Sequence, residues 1–387
     1  MSNVLFGVCL MSLLILLLIF LLKRFNQPYL VAYILAGVLL GPGMAGVFND
    51  TTTISNLGDV GILLLMFFTG MEIDIPDRKS LLLKPLVAQG MKVLFSLMLV
   101  FAMGCLLHWT YGQIVLLSIV LIFNSTAVVS VLLRQNKELH SSAGQLTLNV
   151  LLLQDILLAP VLTLFQLAGS QAISPWRLLT SAICCILLFL LLRASRNKNL
   201  IQWRLWKDIA QDHELQVFTG AIICFGFACL AELAGLSGPV GSFAAGIYIG
   251  RIHAFGWLEK ALKPFQVFFT ALFFVSIGLN IDLIYVRANF WLIGTATLLL
   301  LLSNSLLSAL VFRLLALPWK SSFYAGALLS LPGEFGILAC TLAHRMGIID
   351  TSFFKAGVAV TALALLGATL WITLLKKLIF TGKSMFT

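Results

Sequence analysis

The sequence predicts an all-α membrane protein of about thirteen transmembrane helices, built as two inverted repeats that each contain one discontinuous helix. Three observations predict it. The chain has 387 residues, of which 60% are hydrophobic and 10% charged, with a mean hydropathy of +1.04. A soluble globule carries about 25% charged residues and must turn part of its surface to water, so a soluble domain of this composition is excluded. Lys and Arg segregate between alternate loops, and two spans are broken by polar or helix-breaking residues at matching positions of the two halves.

The first apolar run, 3–22, reads as a retained span. A signal peptide would carry basic residues ahead of its apolar core, whereas Lys23 and Arg24 follow it. Asn26-Gln27-Pro28 ends it, and the second span, 28–48, contains Gly41-Pro42-Gly43. Spans at 54–71, 85–107, 112–133 and 143–168 follow, the last closing at Gly169-Ser170. A seventh, 176–192, leads into the longest polar connection, Arg193 to Glu214. Its Trp203, Trp206 and basic residues fit a helix on the cytoplasmic leaflet, or a linker between halves, over about 176–214. The remaining spans are 215–234, 237–250, 264–281, 289–312, 321–344 and 353–375. The second and ninth are short or glycine-rich. An odd middle span leaves six spans on either side in opposite orientation, as inverted repeats require.

This count segregates the basic residues. Of 25 Lys and Arg, twenty fall on one side of the membrane and four, Arg177, Arg287, Arg345 and Lys355, on the other, with Lys92 inside the fourth span. A wrong count would mix them. The positive-inside rule places the C-terminus in the cytoplasm and the N-terminus outside, and makes the net charge of +10 a topology determinant, with no nucleic-acid partner implied. Lys92 lies towards the cytoplasmic end of its span, so snorkelling to the interface is expected of it. The seven cysteines form no CxxC or Cys/His cluster and read as small packing residues.

Four acids lie away from loops: Asp59, Asp155, Glu232 and Glu334. Asp59 and Glu232 sit near span ends. Asp155, in Leu153-Gln154-Asp155-Ile156, sits mid-span, where a carboxylate costs at least ~2.5 kcal/mol to insert. A proton and a cation can then compete for it. Gln154 is a second polar group beside it. Asn124-Ser125-Thr126 interrupts the fifth span, and Leu331-Pro332-Gly333-Glu334 the twelfth. Proline removes a backbone donor and glycine loosens the helix. Unwound backbone at membrane depth is tolerated only where it is buried in protein or lines a wet cavity, and a pair of such breaks points to a midplane ion site. For Asn124, Ser125 and Thr126 alone, helix–helix hydrogen bonding explains as much.

These residues carry a family resemblance. Tyr33 to Pro42, Gly61 to Gly70 followed by Met71-Glu72-Ile73-Asp74, Asn124-Ser125-Thr126-Ala127 and Leu153-Gln154-Asp155-Ile156 occur in order. Glu232 to Ser237, Gly241 to Gly246, Leu272 to Gly278 with Asp282, and Gly333-Glu334-Phe335 complete the set. The chain resembles bacterial monovalent cation:proton antiporters, most closely the membrane domain of Kef-type potassium efflux systems.

The resemblance implies an NhaA-like antiporter fold, usually a homodimer, in the bacterial inner membrane. It implies a scaffold and dimer part of about 1–75 and 215–285, and a moving core of about 85–170 and 289–377. Asp155 matches the carboxylate that alternately carries a monovalent cation and a proton; Gln154 matches the residue that is glutamine in Kef-type systems, favouring K+ over Na+. Asn124, Ser125 and Thr126 would help hold the cation, and Glu334, with Pro332 and Gly333, would set the electrostatics of the crossing. Many relatives carry a lysine in the eleventh span that pairs with the core acid; alignment from Leu317-Pro318 puts Asn304 there. The chain ends soon after Lys376-Lys377, so the cytoplasmic regulatory domain of Kef-type systems is not expected. The implied activity is exchange of K+ or Na+ for protons by an elevator mechanism, with no enzymatic activity, catalytic residue or cofactor and with lipid as surroundings. A gated cation channel and an organic-anion symporter on a related fold are the alternatives.

Overall fold

The computed structural model describes residues 2–24, 27, 29–48, 52–71, 79–135, 138, 141–169, 209, 211–233, 238–250 and 256–379. The expected seventh span, most of the linker and the last residues lie outside them. Among the described residues there are fifteen helices. The first seven are α1 (Ser2–Lys23), α2 (Tyr29–Leu40), α3 (Thr52–Met71), α4 (Lys79–Leu107), α5 (Tyr111–Ile122), α6 (Thr126–Gln135) and α7 (Ser142–Gly169). After the gap come α8 (His213–Leu233), α9 (Gly238–Gly250), α10 (Gly256–Leu279), α11 (Leu283–Ala288), α12 (Phe290–Leu314), α13 (Trp319–Leu328), α14 (Glu334–Arg345) and α15 (Thr351–Ile379). Six stretches, in α1, α4, α8, α10, α12 and α15, are long and apolar enough to cross a membrane. Leu5, Phe101, Leu106 and Trp291 project outward from such stretches, the arrangement lipid requires.

Boundaries follow local chemistry. α2 stops at Leu40, earlier than its apolar run suggests, because Gly41-Pro42 cannot continue it. α5 starts with a capping box in which the Thr110 side chain accepts from the Gln113 N–H and the Gln113 side chain accepts from the Thr110 N–H. The expected fifth and twelfth spans are each two helices, α5 and α6, and α13 and α14.

The chain folds as two compact units. The first contains Met1–Phe48, Pro76–Gln154 and Gly278–Thr387; the second contains Asn49–Ile75 and Asp155–Ile277. The core of the first draws Val129 and Leu133 of α6, Leu151 of α7, Phe312 of α12, Leu328 of α13 and Ala364 of α15 into one cluster. Asp282 caps α11, accepting from the Tyr285 N–H, and pairs with Lys355 of α15 at 2.8 Å.

The second unit packs α3, α8, α9 and α10 through small residues. A Cβ at Gly246 would lie 2.0 Å from the Phe67 carbonyl oxygen, and one at Gly70 2.3 Å from that of Phe243. The backbones of α3 and α9 therefore touch, as expected where lipid removes the hydrophobic drive between helices and packing must replace it. Phe67, Phe68, Cys224, Ala245 and Leu262 fill the remaining space.

Gly246→Val should lower the unfolding midpoint in detergent by the equivalent of about 1–3 kcal/mol, because the neighbour is backbone and cannot yield. The Lys355 ammonium and the Tyr285 N–H hold the Asp282 carboxyl below the usual carboxylate range. The stability this contributes is present above the unfolded-state value near ~4 and is lost as pH falls through the lowered folded-state value. Asp282→Asn should accordingly flatten the acid limb of the unfolding temperature between about pH 5 and pH 3 and leave neutral pH nearly unchanged; the pair is one-third exposed, so the effect is small.

Candidate functional site

The buried run Ile119 to Ile122 carries α5 into the protein, and Phe123 then turns to an extended conformation, with φ −98° and ψ 124°. Asn124 and Ser125 are not helical. α6 restarts at Thr126, with the Ser125 hydroxyl accepting from the Val128 N–H at 3.4 Å as an N-cap. In the other half α13 ends at Leu328, Pro332 has no N–H to give, and Gly333 is extended at φ −80°, ψ 173° before α14 begins.

The two breaks pair with each other as an antiparallel backbone bridge, Asn124 opposite Pro332. The Ser125 N–H donates to the Leu331 carbonyl at 3.2 Å and the Gly333 N–H to that of Phe123 at 3.4 Å. A Cβ at Gly333 would sit 3.1 Å from the Asn124 carbonyl, so a glycine suits this approach.

Asn124 holds the junction. Its Nδ2 donates to the Leu329 and Leu331 carbonyls at 2.7 and 3.2 Å. Its backbone N–H donates to Gln154 Oε1 at 2.9 Å. Its Oδ1 accepts from Gln154 Nε2 at 3.3 Å and from Lys92 Nζ. Gln154 Nε2 also donates to Gln89 Oε1 at 3.0 Å. Asn124, Ser125 and Gln154 are fully buried. On the opposite side Asn304 Nδ2 donates to the Ser330 carbonyl at 3.4 Å. Asn304 Oδ1, Gln89 Nε2 and the hydroxyls of Ser96 and Ser308 have no hydrogen-bond partner among the described residues.

The structure thus gathers Gln154, Asn124, Ser125, Pro332, Gly333 and Asn304 at the paired breaks. Thr126 is the first residue of α6 and half-buried. Asp155 follows Gln154 in α7 and is 3% exposed. Glu334 opens α14, and its side chain lies outside the described residues. Lys92 corrects an expectation: in place of snorkelling to the interface it is 2% exposed and donates to Asn124. Gln89 was not anticipated. The spacing of Gln89, Lys92 and Ser96 at i, i+3 and i+7 puts all three on one face of α4, a polar stripe that would have marked them. Among the described residues no group of three His, Cys, Asp or Glu side chains forms a metal cluster.

The pattern of the family described as "Sodium/hydrogen exchanger, transmembrane" matches residues 10–377. The chain is similar to the iron transporter MagA of Paramagnetospirillum magneticum, at 28% identity over 92% of this chain and 82% of that one. It is similar to the Na(+)/H(+)-K(+) antiporter GerN of Bacillus cereus, at 26% identity over 88% of each chain. Its fold is similar to that of the sodium proton antiporter MjNhaP1 of Methanocaldococcus jannaschii, with a TM-score of 0.67 at 14% identity over 98% of this chain and 100% of that one.

Asn124→Ala should leave the Leu329 carbonyl without its side-chain donor and Lys92 Nζ without its acceptor, while Gln154 keeps Gln89 and the backbone N–H at 124. Unsatisfied buried groups cost about 1–3 kcal/mol each, so the variant should lose several degrees in detergent unfolding midpoint or fail to accumulate.

Proposed function

Because this chain belongs to the sodium/hydrogen exchanger family, whose members are cation:proton antiporters and secondary transporters, not enzymes, we propose that it exchanges a monovalent cation for protons at Asp155. The observation that carries this reading is the placement of Asp155. It is buried, in an apolar helix, one residue beyond a glutamine that is hydrogen-bonded to an interrupted helix. A carboxylate in such surroundings is costly to keep charged, and either a proton or a cation can neutralise it. One carboxylate that holds either but not both forces their exchange.

In this reading Asp155 crosses protonated in one direction and with the cation in the other. Gln154 and oxygens of the Asn124–Thr126 break complete the cation's shell, since oxygen ligands suit hard monovalent ions. Glu334 acts on the paired breaks electrostatically, and Asn304 supplies a neutral amide where a positive charge would otherwise face the acid. The movement is an elevator motion of a core about two crossed discontinuous helices, in a homodimer of thirteen-span protomers in the bacterial inner membrane with the C-terminus cytoplasmic. K+ is favoured over Na+ by Gln154. The name of one relative also raises iron as cargo. A transition metal prefers nitrogen and sulfur ligands in a converging set, and the polar groups gathered here are amides and hydroxyls.

Purified protein in proteoliposomes, challenged in parallel with K+, Na+, Li+, Rb+ and Fe2+, should dissipate a pH gradient with a monovalent ion. Asp155→Asn should reduce that movement to background while the protein remains folded by size exclusion. Retained exchange in this variant would rule the mechanism out.

A further inference from the structure

Lys92 brings an amine to the paired breaks, onto an oxygen that a neutral donor also reaches. Asn124 Oδ1 already accepts from Gln154 Nε2 at 3.3 Å, and Asn124 Nδ2 ties down the second break through Leu329 and Leu331. An amide oxygen accepts two hydrogen bonds, and a neutral donor could fill the second place without the cost of burying an amine. Lys92 nevertheless lies 2% exposed with Nζ on that same oxygen. Its neighbours one turn away, Gln89 Nε2 and Ser96 Oγ, keep unused hydrogen-bonding capacity.

We propose that Lys92 is a tethered competitor of the transported cation. An alkylammonium and a large monovalent cation present the same charge at similar radius and seek the same oxygen ligands. While Nζ rests on Asn124 Oδ1, that oxygen cannot ligate cargo, because two cations on one carbonyl in a low-dielectric interior repel strongly. Cargo binding therefore requires the ammonium to withdraw, and its return displaces cargo. Lys92 limits affinity so that the ion can leave, and it does so from α4, in the first half of the chain, while Asn304 of α12 holds the second break with a neutral amide. Lys92 is thus a positioning and affinity-setting residue, and its role rests on the exchange reading above.

Lys92→Met in proteoliposomes, with K+ and Na+ each titrated at fixed pH gradient, tests it. The apparent KM for the transported ion should fall about fivefold or more, the equivalent of about one net hydrogen bond, while the maximal rate falls because release slows. Lys92→Arg, which restores a tethered cation, should return KM toward the wild-type value. A merely structural lysine would give the opposite sign, a raised KM or lost protein. If Lys92→Met is not recovered folded, Lys92→Gln carries the same expectation, and the cation concentration that half-maximally raises the unfolding midpoint reads the same affinity without transport. An unchanged or raised KM in a folded variant overturns the competitor role and leaves exchange standing. Absence of cation-dependent proton movement in the wild-type protein overturns the exchange reading, and this inference with it.

Discussion

The structure of the candidate site depends on one constraint: backbone that leaves its helix inside a membrane must find hydrogen bonds in the protein, because lipid offers none. Two breaks would each be costly alone. Here each satisfies the other, through Ser125 to Leu331, Gly333 to Phe123, and the Asn124 amide to Leu329 and Leu331. Proline at 332 and glycine at 333 follow from this, the first because no donor is needed there and the second because the Asn124 backbone lies against it. Once the breaks are paired, Gln154 is fixed by the Asn124 N–H.

Both units meet the loss of hydrophobic drive with glycines that bring main chains together, and the first adds the hydrogen-bonded breaks. In the second, glycines let α3 and α9 approach until main-chain atoms touch, and dispersion does the holding. In the first, Gly278 lies against the Ile34 carbonyl and Gly326 against that of Ser305, and amides hold the chain where the breaks lie.

Much of this was legible in the sequence. Asp155, Gln154, Asn124 and the Pro332-Gly333 pair stand out because each interrupts a long apolar run, and polarity at that depth needs a reason. The breaks themselves were readable from proline and glycine chemistry. Lys92 was not read correctly, since hydropathy reports how far along a span a residue lies but not which way it faces. A long flexible side chain can reach either the interface or the interior. Facing is encoded in the i, i+3, i+7 relation of Gln89, Lys92 and Ser96, a signal carried by three residues among mostly apolar neighbours. The end of α2 at Leu40 agrees with the break that Gly41-Pro42-Gly43 signals, although the apolar run continues past it to 48.

The Asn124 amide bonds to carbonyls 205 and 207 positions later in the chain. At ribosomal rates of about 5–20 residues per second, those partners emerge roughly 10–40 s after Asn124 does. Through that interval the nascent first half holds an incomplete polar notch within the bilayer. Biogenesis of the chain therefore passes through a stage that depends on the insertion machinery, on lipid-phase chaperones or on transient water to shelter the notch. A polypeptide halted before residue 329 lacks both carbonyl acceptors of the Asn124 amide, however apolar its helices.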